Sequence, residues 1–235
     1  MSKDDKTLPT ETSRAEVEAF LNKVAATPAS APTAGRGRLI FAMDATASRE
    51  PTWDRACQLQ GEMFEATHAL GGLDVQLVYY RGFGECKHSK WVSDSRALVK
   101  LMTGVFCRGG YTQIRKVLRH AIAETRKRKV NALVFVGDCM EENVDELCHL
   151  AGELGVLGVP AFLFHEGHDP VAGYAFREIA RLSGGAYCRF DAASAGALRE
   201  LLSAVAVYAA GGRRALEDYG RRAGGAVLQI ASQVR

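Results

Sequence analysis

The apolar run RLIFAM (38–43) ends in Asp44, Thr46 and Ser48, three short oxygen-bearing side chains at every second position. One capping residue suffices where a buried strand turns into a helix, so two of these oxygens are left over. Two further segments bring polar oxygens to the end of an apolar stretch. GGYTQI places Thr112 at the start of a long helical pattern, and VFVGD places Asp138 at the end of a second buried strand. Two carboxylates and three neutral hydroxyls, with no Cys or His among them, form the donor set of a hard divalent cation. Mg²⁺ is the first choice, with Mn²⁺ or Ca²⁺ as alternatives. Mg²⁺ favours near-octahedral oxygen coordination, and this set leaves room for a donor from outside the chain. Singly, each residue has a plainer reading. Thr46 or Ser48 caps the helix near Pro51, Thr112 caps its own helix, and Asp138 is a turn residue. Their joint order along the chain favours the metal.

The elements that must position these residues alternate. RLIFAMD, DVQLVYY, NALVFVGD, VPAFLFHE and GGAYCRFD read as strands, with a short edge strand within 86–94. Between and after them lie helical patterns: TWDRACQLQGEMFEATHAL, a helix starting in SRALVKLMTGVF, QIRKVLRHAIAETRKRK, NVDELCHLAGEL, GYAFREIARLS and ASAGALRELLSAVAVYA. Repeated βα units predict an α/β, three-layer Rossmann-like fold, with a mostly parallel central sheet covered by helices on both faces. In such sheets ligands bind beyond the carboxyl ends of the strands, where the strand order reverses. All three oxygen-bearing segments fall at that end. The domain is expected to span 38–210. Before it, residues 1–37 form a tail. A capping box of Ser13 and Glu16 starts a short amphipathic helix there (Val17, Phe20, Leu21, Val24), and the linker TPASAPTAGRG follows. Residues 211–235 form a C-terminal tail in which Leu216, Tyr219, Val227, Leu228 and Ile230 fit an interrupted amphipathic helix.

The bulk properties exclude several classes. A net charge of +3 and a pI near 8.5 are too mild to point to nucleic acid. The basic run RKRK (126–129) sits at a helix C-terminus, where cations belong, and no aromatic platform is interleaved with it. The polar N-terminus resembles no signal peptide, and no apolar run is long enough to span a membrane, so a cytoplasmic location is expected. The six cysteines occur singly and read as small buried hydrophobes of a reducing compartment. Cys139, Cys148 and His149 match no zinc spacing, and HEGHD (165–169) reads as a polar loop at a strand end. GRGRL (35–39) precedes the first strand, whereas a phosphate-cradling loop must follow it.

DxTxS after a first buried strand, a loop Thr preceded by glycines, and GD after a later strand resemble the von Willebrand factor A-like (VWA) domain with its metal-ion-dependent adhesion site (MIDAS), in a cytoplasmic, bacterial-type form. The resemblance covers Arg38 to Ala210, with Thr46 keeping the hydroxyl of the usual Ser. It implies a metal held by Asp44, Thr46, Ser48, Thr112 and Asp138, the hydroxyls in direct contact and the aspartates acting largely through water. It also implies that an Asp or Glu of a protein partner completes the shell, in an adaptor or assembly factor that turns over no substrate. Family precedent adds an ATPase or chaperone-type complex as partner. Arg49, Glu50, Trp53, Arg108, Tyr111 and Glu141 are the candidate rim residues, since Arg and aromatic side chains make interface anchors; Trp53 fits the core equally well. Glu141 and Glu142 read as the solvated first turn of the next helix. The alternative is a haloacid-dehalogenase-like phosphotransferase or phosphatase with Asp44 as nucleophile. That chemistry needs an acid–base Asp where this chain has Thr46, and its Lys could only be Lys116 or Lys127–Lys129, inside a helix.

Overall fold

Alternate residues of the first strand, β1 (Gly37–Asp44), point into two different cores. Leu39, Phe41 and Met43 join one, and Ile40 and Ala42 the other. That is the period of two of a strand buried on both faces. The computed structural model describes residues 36–67, 71–190 and 195–223, together with 19, 22 and 23. The remaining strands are β2 (Leu73–Arg81), β3 (Glu85–His88), β4 (Ala132–Gly137), β5 (Ala161–Glu166) and β6 (Ala186–Phe190). They form one sheet in the order β3-β2-β1-β4-β5-β6, with only the edge pair β2–β3 antiparallel. The helices are α1 (Glu50–Thr67), α2 (Ser95–Thr103), α3 (Ile114–Lys127), α4 (Val144–Val156), α5 (Pro170–Ser183) and α6 (Ala195–Ala223).

The two cores explain the layers. Trp53 and Met63 of α1, Leu98 and Met102 of α2, and Leu201 and Val205 of α6 cover one face of the sheet. Val117 and Leu118 of α3, Leu147 and Leu150 of α4, and Phe176 and Ile179 of α5 cover the other. Each such side chain, once buried, contributes roughly 1.5–3 kcal/mol. The chain is therefore the α/β, mostly parallel, two-faced sheet that its alternation predicts. Strand order reverses between β1 and β4, because β1 leads outward to β2 and β4 leads outward to β5. Asp44 ends β1 and Asp138 follows β4, so both carboxylates stand at the switch point.

Three of the helices start on a side-chain cap. Asp94 accepts the Ala97 N–H at 2.9 Å, Asn143 the Glu146 N–H at 3.1 Å, and Asp169 the Ala172 N–H at 2.6 Å. Helix α3 is different: its N-cap Gln113 makes no side-chain cap bond. The carboxylate of Glu142, from the loop after β4, instead accepts the N–H groups of Ile114 and Arg115. Helix α6 runs on to Ala223, broken at Gly212 (φ 70°, ψ −166°), a conformation suited to glycine. Beyond the break Ala215 and Leu216 are buried in the first core, with Tyr219 packed against it. The helix expected from Ser13 falls almost wholly outside the described residues, and Val227, Leu228 and Ile230 lie beyond them.

His120 of α3 gives the fold a pH dependence. Its Nε2 lies 2.8 Å from Gln76 Oε1, and its ring stacks on His88 with centroids 4.3 Å apart. Burial, then the neighbouring His88, pushes its pKa from 6.5 down to about 4, against a weaker pull from Glu124. The unfolded chain therefore takes up this proton first as the pH falls, so stability is lost between about 6.5 and 4. Urea titrations at several pH values across that window are expected to show this decline, and a smaller one in His120→Gln. Equal declines in the two proteins would refute the assignment.

Candidate metal centre

The switch point holds a chain of hydrogen bonds that links the first and third oxygen-bearing segments. Asp44 is fully buried. Its Oδ1 accepts the Thr46 N–H at 2.7 Å, and its Oδ2 accepts the Tyr80 hydroxyl at 3.1 Å. Thr46 Oγ1 lies 3.4 Å from Ser48 Oγ, and Ser48 Oγ donates to Asp138 Oδ2 at 2.8 Å. The Asp138 carbonyl is 3.2 Å from His165 Nε2, and His165 Nδ1 is 2.9 Å from the Tyr187 hydroxyl. A carbonyl only accepts, so His165 is the Nε2–H tautomer and its Nδ1 accepts from Tyr187. Burial lowers the His165 pKa, in keeping with a neutral ring.

The plainer capping readings do not describe these hydroxyls. Thr46 precedes a single 3₁₀ turn (Ala47–Arg49) and makes no side-chain cap bond. Ser48 gives its proton to Asp138. Thr112 Oγ1 accepts the Glu141 N–H at 3.1 Å, while the Thr112 N–H donates to Glu141 Oε2 at 3.0 Å. Thr112 is thus tied to the third segment through Glu141 and shares no direct hydrogen bond with Asp44, Thr46, Ser48 or Asp138.

Electrostatics favour a cation here. Desolvation raises the Asp44 pKa to about 6, and the charge of Asp138 adds to this; the bonds from Thr46 and Tyr80 oppose it. Asp138 Oδ1 is buried with no hydrogen-bond partner. Among the described residues no Lys, Arg or His forms an ion pair with either carboxylate. Ligand atoms of Asp44, Asp138 and Cys139 lie within 4.8 Å of one another. The residues therefore fit a divalent ion, which would neutralise two crowded carboxylates and partner the orphaned oxygen. Cys139 stays a protonated thiol at neutral pH. Burial first, then Asp138, pushes it up to about 12, and a thiol is a poor donor to a hard ion. Cys148 and His149 lie in α4 and do not join the cluster.

Several sequence expectations are corrected. Arg49, expected on the rim, is 1% exposed, and its Nη1 pairs with Glu166, whose carboxylate also accepts the Thr52 hydroxyl. For Trp53, where rim and core fitted equally, the structure takes the core: it is 3% exposed and its Nε1 donates to the Met102 carbonyl at 3.1 Å. Glu141 and Glu142 are not a helix turn, because α4 begins at Val144 after its Asn143 cap. They reach across to Thr112 and to the start of α3. HEGHD is more than a polar loop, since His165 and Glu166 brace the switch point and Asp169 caps α5. Glu50, Arg108, Tyr111 and Glu141 are exposed, as a rim requires. In RKRK, Arg126 pairs with Glu153, Lys127 with Glu124, and Lys129 donates to the Leu157 and Gly158 carbonyls. These are structural uses of the charges. Tyr80, His165, Glu166 and Glu142 are the supporting residues that sequence reasoning missed.

No protein-family model matches the chain, and no curated protein does. Solved structures match it in fold. The VWA domain of SpRpn10 covers 75% of this chain and 97% of its own, with a TM-score of 0.55 and 12% identity. Proximal thread matrix protein 1 from the mussel byssus, with a zinc-occupied MIDAS motif, covers 73% of this chain at a TM-score of 0.57 and 14% identity. A point variant of the PilB minor pilin from Streptococcus sanguinis covers 83% at a TM-score of 0.57 and 10% identity. This chain spans 65% of that pilin's length and 46% of the byssus protein's. At such identities the likeness is one of fold, and the fold is VWA-like. Among the described residues no helix is long and apolar enough to cross a membrane.

Proposed function

We propose that this chain is a divalent-metal-dependent protein-binding module, an adaptor or assembly factor that captures an Asp or Glu of a partner protein. One observation carries the reading. Two carboxylates meet at the switch point, Asp44 taking the Thr46 N–H and Asp138 the Ser48 hydroxyl, with Asp138 Oδ1 buried and unpartnered and, among the described residues, no Lys, Arg or His in an ion pair with either. Asp44, Thr46, Ser48, Thr112 and Asp138 would hold the ion, Mg²⁺ in preference to Mn²⁺ or Ca²⁺. The bound ion would supply a Lewis-acidic position for a carboxylate from outside. Tyr80 and the Thr46 N–H hold the Asp44 carboxylate in one orientation, and Ser48 fixes Asp138 beside it. The zinc in the MIDAS motif of the byssus protein supports a divalent site on this fold. The working unit is residues 38–210 together with the end of α6, whose Ala215 and Leu216 are buried in the first core, and its partner is an ATPase or chaperone-type complex. Six unpaired cysteines suit a cytoplasmic setting.

The phosphotransferase alternative fits less well. Asp44 is buried, with both oxygens engaged, whereas a nucleophile must meet its substrate. Thr46 stands where an acid–base carboxyl is required. Lys116 donates to the Gly84 carbonyl and to Gln113 Oε1, while Lys127 ends the far side of α3 and Lys129 lies beyond it.

Titration calorimetry with Mg²⁺ tests the proposal. The parent is expected to bind saturably and Asp44→Ala not at all. Silence from the parent, or equal binding by both, would sink the site. Metal-dependent hydrolysis of a generic phosphoester would instead favour the enzyme.

A further inference from the structure

Beside Thr112 two loops hold large aromatic side chains out in solvent. Phe83, in the turn between β2 and β3, is 82% exposed, and Tyr111 is 60% exposed. Their rings meet edge to face, with centroids 5.3 Å apart. Phe106, on the same loop as Tyr111, is 76% exposed. A lone exposed apolar residue is ordinary, but a cluster beside a candidate binding site is not. The loops are well braced. The Gly82 N–H donates to the Arg108 carbonyl at 3.4 Å and the Tyr111 N–H to the Gly82 carbonyl at 3.2 Å. Gln113 Nε2 reaches the Arg81 carbonyl at 3.2 Å, Lys116 Nζ the Gly84 carbonyl at 2.8 Å, and Arg81 Nη1 the Phe106 carbonyl at 2.6 Å. Aromatic anchors held this way lose little entropy on binding.

Charge selects the occupant. Arg108 is exposed between Phe106 and Tyr111, and no carboxylate among the described residues pairs with it. A bound ion would add positive charge next to it. Arg81 and Lys87 are paired with Glu85, and Lys116 is held on the Gly84 carbonyl and Gln113, so the positive charge left to face a partner is that of Arg108 and the ion, which suits an acidic protein segment.

Resting on the metal-dependent reading above, we propose that these two loops form the second half of the docking surface. They take a large apolar side chain of the partner, carried on the same segment as the Asp or Glu that reaches the metal. Tyr111 is the chain neighbour of Thr112, so one short segment can carry both side chains. The partner is thus recognised through a short acidic–apolar motif.

The test is to pan a random peptide library on the full chain loaded with Mg²⁺ and to release bound peptides with a chelator. The recovered peptides are expected to combine Asp or Glu with a large apolar residue at short spacing. The leading peptide is then measured against the parent, Asp44→Ala and the double variant Phe83→Ser/Tyr111→Ser. The double variant is expected to bind Mg²⁺ as the parent does and to lose peptide affinity tenfold or more. Replacing the peptide's apolar residue by Ala should cost the parent a similar factor and the double variant almost nothing. The proposal is overturned if Mg²⁺-loaded parent releases no peptide, if recovered peptides carry acid without apolar enrichment, or if the double variant keeps parental affinity. It is also overturned if the double variant abolishes a concentration-dependent dimer or sedimentation with phosphatidylserine vesicles while leaving peptide binding intact. A parent that binds no Mg²⁺ overturns the metal reading as well.

Discussion

Arg49→Met is expected to lower stability by about 3–5 kcal/mol, the usual cost of breaking a buried ion pair from one side. Arg49 is almost wholly enclosed, and its Nη1 meets the carboxylate that also takes the Thr52 hydroxyl. Removing the guanidinium leaves Glu166 with a charge and, among the described residues, the Thr52 hydroxyl as its remaining partner. The pair is itself no great source of stability, because Arg49 Nε and Nη2 are buried without partners. Removing both charges should therefore cost far less than removing one, so Arg49→Met/Glu166→Leu is expected to recover much of the loss. Urea denaturation of the two single variants and the double variant measures this directly. A change below about 0.5 kcal/mol in Arg49→Met is what an exposed rim residue would give, and would place Arg49 back on the surface.

Gly110→Ala is expected to weaken Mg²⁺ binding at least tenfold, with a stability loss of roughly 1–3 kcal/mol from the overpacking it forces. A Cβ at Gly110 would lie 2.0 Å from the Gly82 carbonyl oxygen, a backbone atom that cannot swing aside as a side chain can. The two loops must then separate, and Thr112, only two residues on, moves with them. Gly109 is the control, because a Cβ there meets nothing within 4 Å. Gly109→Ala should bind Mg²⁺ normally. Calorimetry and thermal melts on the pair decide the matter, and parental Mg²⁺ affinity in Gly110→Ala would remove Thr112 from the ligand set.

The sheet was legible in the sequence because its strands are continuous apolar runs and its helices alternate with them. RLIFAM and ALVFV bury both faces, which only a covered parallel sheet accommodates. Asp44, Thr46, Ser48 and Asp138 could be singled out because polar residues closing such runs must face the carboxyl end. Their supports could not. Tyr80 stands opposite Asp44 in the β1–β2 register, a relation that appears only when the two strands are paired. Arg49 and Glu166 read as surface charges until strand order brings β5 beside the first loop. Glu142 sits just ahead of one helix and caps another, and sequence proximity favours the wrong one.

That cap has a mechanical consequence. Glu142 is four residues from Asp138, yet its carboxylate is fastened to the first turn of α3. The loop bearing Asp138 cannot retreat without stripping that cap, at about 0.5–2 kcal/mol, and Glu141 holds Thr112 to the same loop. The second and third segments are therefore fastened to each other at two points, and neither loop can shift without breaking the bonds of Glu141, of Glu142 or of both.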